Sequence, residues 1–217
     1  MTLRILKAAS AGIALVLLNT AISGAQATPR GTWDFRAVGG LGRSSISDSD
    51  FNEISNFKLT SAWTLGVEIA RQIGQPRLSL SAGLSRTNRG TRLTVPPGDP
   101  NAGAANLQTD YLELPILLHA AIGQLGPARF QALGGAVFSS NGAGTLRRAS
   151  DDLEIASLSM EQIESSAAIG IEVLPKRRVP ISLRFQYQRA ITATVADSPK
   201  SRSNMFMLSG VWAIKRW

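Results

Sequence analysis

The chain has 217 residues, with 23 Lys or Arg against 15 Asp or Glu and a formal net charge of +8. The basic residues are scattered and form no continuous block, so the charge does not indicate a nucleic-acid binder. There is no cysteine, which excludes disulfides. Beyond the N-terminal segment no apolar run reaches roughly 18 residues, which excludes a helical membrane protein.

Residues 1–27 have the layout of a secretory signal peptide. Arg4 and Lys7 form a positive start, Ala8–Ile22 is almost wholly apolar, and a small-residue cleavage site follows. The apolar run is shorter than the roughly 20 residues that a membrane-spanning helix needs. We therefore expect this segment to be removed and residues 28–217 to form one exported domain.

The rest of the chain contains eight segments in which apolar and polar residues alternate, the pattern of a strand with one apolar face. In chain order they cover residues 32–42, 61–71, 77 onward, 110–123, 129–139, 163–173, 181–188 and 205–215. Each segment is close to the roughly 9–11 residues that a tilted strand needs to cross a bilayer. Eight such segments in succession indicate a transmembrane β-barrel.

The connections between these segments alternate strictly between short and long. The links after the second, fourth and sixth segments are short and contain Gly or Pro, as tight turns require. The other links are long and polar, near residues 43–60, 87–109, 140–162 and 189–204. Outer-membrane barrels have short periplasmic turns and long outer loops. We therefore predict an all-β fold, a closed antiparallel eight-stranded up-and-down barrel in the outer membrane of a Gram-negative bacterium.

The apolar face of each segment is expected to contact lipid, so the polar face points into the barrel. Nine ionisable residues fall on this inward face: Asp34, Arg36, Glu68, Glu113, His119, Arg129, Glu164, Glu172 and Arg184. Eight strands leave an interior only just wide enough for side chains, and buried charges need partners. We expect these residues to fill the lumen as a structural polar network. A narrow polar pore is the alternative.

His119 is the only histidine, and it invites a catalytic or metal-binding interpretation. Zinc sites use several Cys or His ligands, which this chain does not offer. Catalysis needs a nucleophile beside the histidine, and the next residue on the same face of the strand is Ala121. We therefore expect a hydrogen-bonded interior histidine, with no metal, no cofactor and no enzymatic activity.

Three weaker motifs have competing interpretations. Gly39-Gly40-Leu41-Gly42 could suggest a phosphate loop, but no helix pattern follows, and glycines in a strand more often permit close packing. Acidic residues in two outer loops could hold calcium, although without the EF-hand spacing: Asp48, Asp50, Glu53, Asp151, Asp152 and Glu154. Four arginines could contact lipopolysaccharide phosphates on the outer face: Arg89, Arg92, Arg147 and Arg148.

The stretch Tyr111-Leu112-Glu113-Leu114-Pro115-Ile116-Leu117-Leu118 resembles a strand of the PorT-like outer-membrane barrels, which often carry a Tyr-Leu-Glu-Ile-Pro-Leu-Leu-like run. The motif covers one strand, and the remaining similarity is architectural. The resemblance implies an outer-membrane location and, as an alternative function, a component or assembly partner of a protein-secretion system. The terminal Trp217 looks like the aromatic residue that barrel-insertion machinery reads.

The leading prediction is a non-enzymatic integral outer-membrane protein that is structural or binds through its outer loops. Its expected partners are outer-membrane lipid, lipopolysaccharide and the barrel-insertion machinery, with a secretion-system protein as the alternative and no nucleic acid. A soluble periplasmic lipocalin-like barrel is a further alternative. There the faces would invert, so that Arg36, Glu68 and Arg184 face water while Leu114 and Leu183 line a pocket.

Overall fold

The computed structural model describes residues 33–47, 58–73, 77–95, 103–141, 144–158, 160, 162–175, 180–196 and 198–216. The predicted signal peptide, Trp217 and the proline-rich part of the second loop lie outside these residues. The described ranges contain no helix that is long and apolar enough to cross a membrane.

The described residues form ten β-strands. In chain order they are β1 (Trp33–Ser47), β2 (Thr60–Gln72), β3 (Leu78–Val95), β4 (Gly103–Leu125), β5 (Ala128–Asn141), β6 (Gly144–Arg148), β7 (Glu154–Leu158), β8 (Ile163–Leu174), β9 (Ile181–Ala190) and β10 (Arg202–Arg216). Eight of them close into a ring in the order β1, β2, β3, β4, β5, β8, β9 and β10, and β10 pairs back with β1. All these pairings are antiparallel. The predicted eight-stranded barrel is confirmed.

The two faces of each strand differ as the alternation predicts. On β9 the side chain of Leu183 is 50% exposed and that of its neighbour Arg184 is 2% exposed. On β2 the residues Leu65 and Val67 are exposed, whereas Glu68 is buried. Apolar side chains therefore cover the outside of the ring, and its inside holds the buried charged and polar residues together with smaller apolar clusters, such as Leu117 with Leu133 and Val137. The soluble lipocalin-like alternative requires the opposite arrangement and is wrong.

Two of the predicted long loops contain additional strand. The pairing of β3 with β4 continues from Leu78–Ala120 as far as Val95–Gly103, so most of residues 87–109 is strand. Within residues 140–162, β6 pairs with β7 on one side. On its other side β6 pairs with β4, where Arg148 lies opposite Ala105 and Thr145 lies opposite Gln108. The prediction that these regions are loops is wrong, because backbone pairing continues beyond the apolar part of the strands and satisfies their hydrogen-bonding groups.

The glycine-rich stretch at residues 39–42 lies inside β1 and continues its pairing with β2 and β10. A Cβ atom on Gly42 would collide with the carbonyl oxygen of Phe206 on β10. The glycine therefore permits two strand backbones to lie close together. The phosphate-loop interpretation does not apply to a continuous strand.

Candidate functional site

The candidate site is the charged lumen, and it contains two clusters of ion pairs. The first lies near the short-turn end, which is the periplasmic end in barrels of this kind. We call it the periplasmic cluster, and it consists of Asp34, Arg36, Glu68, Ser81, His119, Glu172, Ser182 and Arg184. The second lies toward the long-loop end. We call it the outer cluster, and it consists of Arg89, Tyr111, Glu113, Ser139, Glu164, Thr194 and Ser203.

Arg184 on β9 organises the periplasmic cluster. Its two terminal nitrogens bind the two carboxylate oxygens of Glu68 on β2, at 2.5 and 2.9 Å. The same guanidinium donates to one oxygen of Glu172 on β8, at 3.0 and 3.2 Å. In the ring, β2 and β9 are separated by β1 and β10. The contact between Arg184 and Glu68 therefore crosses the lumen.

The remaining charges of this cluster pair around Glu172. Arg36 lies 3.1 Å from Asp34 and 4.0 Å from the second oxygen of Glu172. The Ser182 hydroxyl donates to that same oxygen at 2.5 Å. The three carboxylates and two guanidiniums of the cluster are all buried. Because such charges are costly to bury alone, each depends on the presence of the others.

His119 is fully buried on β4 and contacts two residues of this cluster. Its Nε2 lies 2.9 Å from the hydroxyl of Ser81 on β3, and its Nδ1 lies 3.6 Å from a carboxylate oxygen of Glu172. The expectation that no hydroxyl lies beside the histidine is wrong, because it considered only the histidine's own strand. The neighbouring strand supplies Ser81. The three residues have the order of a Ser-His-acid triad.

Arg89 on β3 organises the outer cluster. Its guanidinium pairs with Glu113 on β4 and with Glu164 on β8, the latter at 2.8 Å. It also lies 4.6 Å from the centre of the Tyr111 ring, a cation–π contact. Glu164 additionally accepts hydrogen bonds from the hydroxyls of Thr194 and Ser203, at 2.7 and 2.9 Å.

Sequence reasoning placed Arg89 on the outer face, and that assignment is wrong. The residue is buried because β3 continues beyond the expected end of its segment and keeps its alternation. Thr87, Arg89 and Thr91 extend the inward face that Ser81 and Ser85 begin. This continued alternation is the signal that could have identified the central cation of the outer cluster.

Eight of the nine ionisable residues expected in the lumen are buried there, and Arg129 is not. Arg129 is the second residue of β5 and is exposed. Its strand begins directly after the two-residue turn that follows β4, so its side chain lies at the open end of the lumen. Placing Arg129 in the interior network was therefore wrong.

The outer hairpin formed by β6 and β7 pairs its own charges. Arg147 lies 3.0 Å from Asp152 and Arg148 lies 3.3 Å from Asp151. The described residues contain no group of three or more acidic or histidine ligands that could hold a metal. Arg92 is exposed on the extended part of β3. The acidic residues of the first loop, Asp48, Asp50 and Glu53, lie outside the described residues.

A small internal cavity separates the two clusters. Its volume is about 40 Å³, and its wall includes Glu68 and Arg184 from one cluster and Glu113 from the other. Gln188 also lines it, and neither polar atom of its buried amide has a hydrogen-bond partner among the described residues. The rest of the wall mixes apolar and uncharged polar residues: Val38, Val67, Pro115, Val137, Met205 and Met207 with Thr64, Ser85, Gln186 and Ser209.

A closed ring of eight antiparallel strands, with an apolar outside and a charged inside, defines a small integral membrane barrel. A family model described as outer membrane protein beta-barrel domain matches residues 24–195. The chain belongs to this family and is located in the outer membrane. No curated protein matches its sequence.

Several solved structures are similar in fold. Neisserial surface protein A is 10% identical with a TM-score of 0.49, covering 83% of this chain and 97% of that one. OprG from Pseudomonas aeruginosa is 10% identical with a TM-score of 0.47, covering 87% and 96%. Ail of Yersinia pestis, solved with the heparin analogue sucrose octasulfate, is 11% identical with a TM-score of 0.46, covering 87% and 100%.

Proposed function

We propose that the protein is a non-enzymatic, non-conducting barrel whose lumen is closed by its two charged clusters. The observation that supports this most is the pairing of Arg184 with Glu68, which joins two non-adjacent strands of the wall across the lumen. Arg89 makes a similar connection between β3, β4 and β8. A permeating ion would have to displace buried pairs whose separation leaves charges without partners, at a cost of several kcal/mol.

Burial also argues against hydrolysis by the Ser81, His119 and Glu172 arrangement. The exposed fractions of these residues are 1%, 0% and 1%. A nucleophile acts only on a substrate that it can touch. In addition, Glu172 is bound by Arg184, so its charge already stabilises a cation. We therefore interpret the arrangement as a structural hydrogen-bond network.

Planar-bilayer recording tests the closed lumen. The purified full chain is expected to give no conductance steps. The double variant Glu68→Ala, Arg184→Ala removes the contact across the lumen and tests whether a conducting path then opens. Steps from the wild-type protein at ordinary salt would contradict the proposal.

A fluorophosphonate probe tests the hydrolase interpretation separately. The folded wild-type chain is expected to label no more than its Ser81→Ala variant. Labelling that disappears only in Ser81→Ala would show a reactive serine and would contradict the non-enzymatic proposal.

A secretion-system role is a second candidate, which the resemblance to the PorT-like barrels supports. In the structure the inward residues of that motif, Tyr111 and Glu113, both contact Arg89. The motif can thus be understood as part of the outer cluster. Crosslinking in cells from the β6–β7 hairpin tests the candidate: repeated capture of one secretion protein would support it, and capture of only lipid and the chain itself would count against it.

A further inference from the structure

Polar residues follow the apolar outward residues near the long-loop end of three neighbouring strands, β9, β10 and β1. Toward the long-loop end, an outward apolar residue on each strand is followed by an outward polar one: Leu41 then Arg43 on β1, Phe206 then Asn204 on β10, and Tyr187 then Arg189 on β9, beyond which Ile191 is again apolar and exposed. Arg43 pairs in register with Phe206, and Arg189 pairs with Asn204. The two arginines therefore flank β10 where lipid headgroups begin.

These two arginines lack an acidic partner among the described residues. Both are exposed. On the far side of the barrel Arg86 occupies the equivalent position on β3, and it is bound to Asp110 of β4 at 2.5 Å. The boundary is thus charge-balanced at β3 and β4, whereas at β9, β10 and β1 it presents two arginines that no acidic residue of the described ranges neutralises.

A further polar donor lies between the two arginines. The Tyr187 hydroxyl donates a hydrogen bond to Oδ1 of Asn204 at 3.0 Å. This contact orients the Asn204 amide and leaves its Nδ2 as a donor. The Tyr187 ring packs against Phe206, with ring centres 4.7 Å apart. The packing of the Tyr187 and Phe206 rings therefore holds the Tyr187 hydroxyl and, through it, the Asn204 amide in place.

Below this level the outer face has an apolar concavity of about 1230 Å³. Arg43 and Tyr187 lie at its edge, and its lining below them is mainly apolar, with Phe185, Ile171 and Leu208 among the lining residues. The arginines supply positive charge at the level of the headgroups, and the apolar concavity lies beneath them. A lipid with a phosphate on its headgroup and acyl chains below it fits this arrangement.

We propose that Arg43, Asn204 and Arg189 bind a phosphate of a lipid A-type glycolipid of the outer leaflet, while the concavity holds one of its acyl chains. Guanidinium groups suit this role because their planar donors bind phosphate oxygens in pairs and are weakly hydrated. Such binding gives the barrel a lipid partner, and it does not depend on whether the lumen conducts.

Native mass spectrometry of the full chain, titrated with purified lipid A in detergent, tests the proposal. Replacing Arg43 and Arg189 by glutamine is expected to weaken retention on the order of tenfold for each arginine. Replacing both arginines by lysine should lose less lipid A retention than replacing them by glutamine. Lysine keeps the positive charge but cannot donate two parallel hydrogen bonds to one phosphate. The control removes the same net charge at the short-turn end, with Arg77→Gln and Arg129→Gln, which are both exposed there, and should retain lipid A like the wild type.

Lipid A without its phosphates separates headgroup recognition from simple apolar binding. The wild-type chain is expected to hold this probe as weakly as the Arg43→Gln, Arg189→Gln variant holds intact lipid A. Heat-modifiable gel mobility of each variant confirms that the barrel is folded. Equal retention of both lipids by the wild type, unchanged retention by the double glutamine variant, or an equal loss in the charge-matched control would each overturn the proposal.

Discussion

Replacing Arg184 by methionine removes the cation that two buried carboxylates share. Glu68 then has no cationic partner among the described residues, and Glu172 keeps only Arg36, at 4.0 Å, and His119. Removing one partner of a buried ion pair costs about 3–5 kcal/mol, because the remaining charge stays desolvated. We therefore expect Arg184→Met to lower the free energy of unfolding by about that amount.

Adding Glu68→Gln to Arg184→Met should recover part of the loss. The second change removes the carboxylate that the first leaves unpaired, so the double variant is expected to lose about 0.5–3 kcal/mol less than the sum of the single variants. The single variant Glu68→Gln should itself be destabilised, since it leaves Arg184 with one carboxylate instead of two.

Urea unfolding in phosphatidylcholine vesicles, followed by tryptophan fluorescence, measures these free energies. The chain contains four tryptophans. Arg71→Met is the matched control, because Arg71 is exposed on the outside of β2 and lies 5.0 Å from the Trp33 ring. It should cost less than about 1 kcal/mol. Strict additivity of the Arg184 and Glu68 variants, or an Arg184 variant as stable as the control, would refute the cross-lumen pairing.

Leu183→Arg places a charge on the lipid-facing side of β9 and should cost about 2–4 kcal/mol in the same vesicle assay; a loss below 1 kcal/mol would contradict the outward assignment. Gln188→Met replaces an amide whose buried atoms lack protein partners and should leave the protein as stable or more stable, by up to about 3 kcal/mol; a clear loss in the urea midpoint would instead show that the amide binds ordered water in the cavity. Asp110 lies outside the apolar belt, and hydrogen bonds from Arg86 and Asn88 lower its pKa. Its contribution to stability is therefore present at neutral pH and is lost as the pH falls through that lowered pKa. An NMR titration should show Asp110 titrating below an ordinary aspartate in the wild type and closer to the ordinary value in Arg86→Gln; identical curves would contradict the pairing.

The number, direction and outward face of the eight strands of the ring could be predicted because they depend on short-range alternation. A period of two decides which side of a strand is apolar, as Leu183 and Arg184 illustrate, and the alternation of short and long links gives antiparallel neighbours. The ends of the strands could not be predicted in the same way. Beyond the bilayer the outward residues are polar too, so the contrast fades while β3 and β4 remain paired through Val95 and Gly103.

The contacts within the lumen were the least accessible part. Which inward charge meets which depends on the stagger of strands that are far apart in the chain, as with Glu68 and Arg184, and alternation carries no such information. For the same reason the contact between Ser81 and His119 could not be predicted, since it depends on the register of β3 against β4. Arg129 shows the converse case: its inward face was predicted, but its height at the end of the barrel left it exposed.

The bond between Arg184 and Glu68 spans the seam where the first and last strands of the ring meet. In an open sheet β2 and β9 would stand near opposite edges, so these side chains can join only after β1 has found β10. A sheet that has not closed would therefore have Glu68 without its partner near one edge and Arg184 paired only with Glu172 near the other. The surrounding hydrocarbon disfavours both of these charges. The ion pair between Arg184 and Glu68 therefore forms only in the closed barrel and stabilises the closed barrel relative to the open sheet.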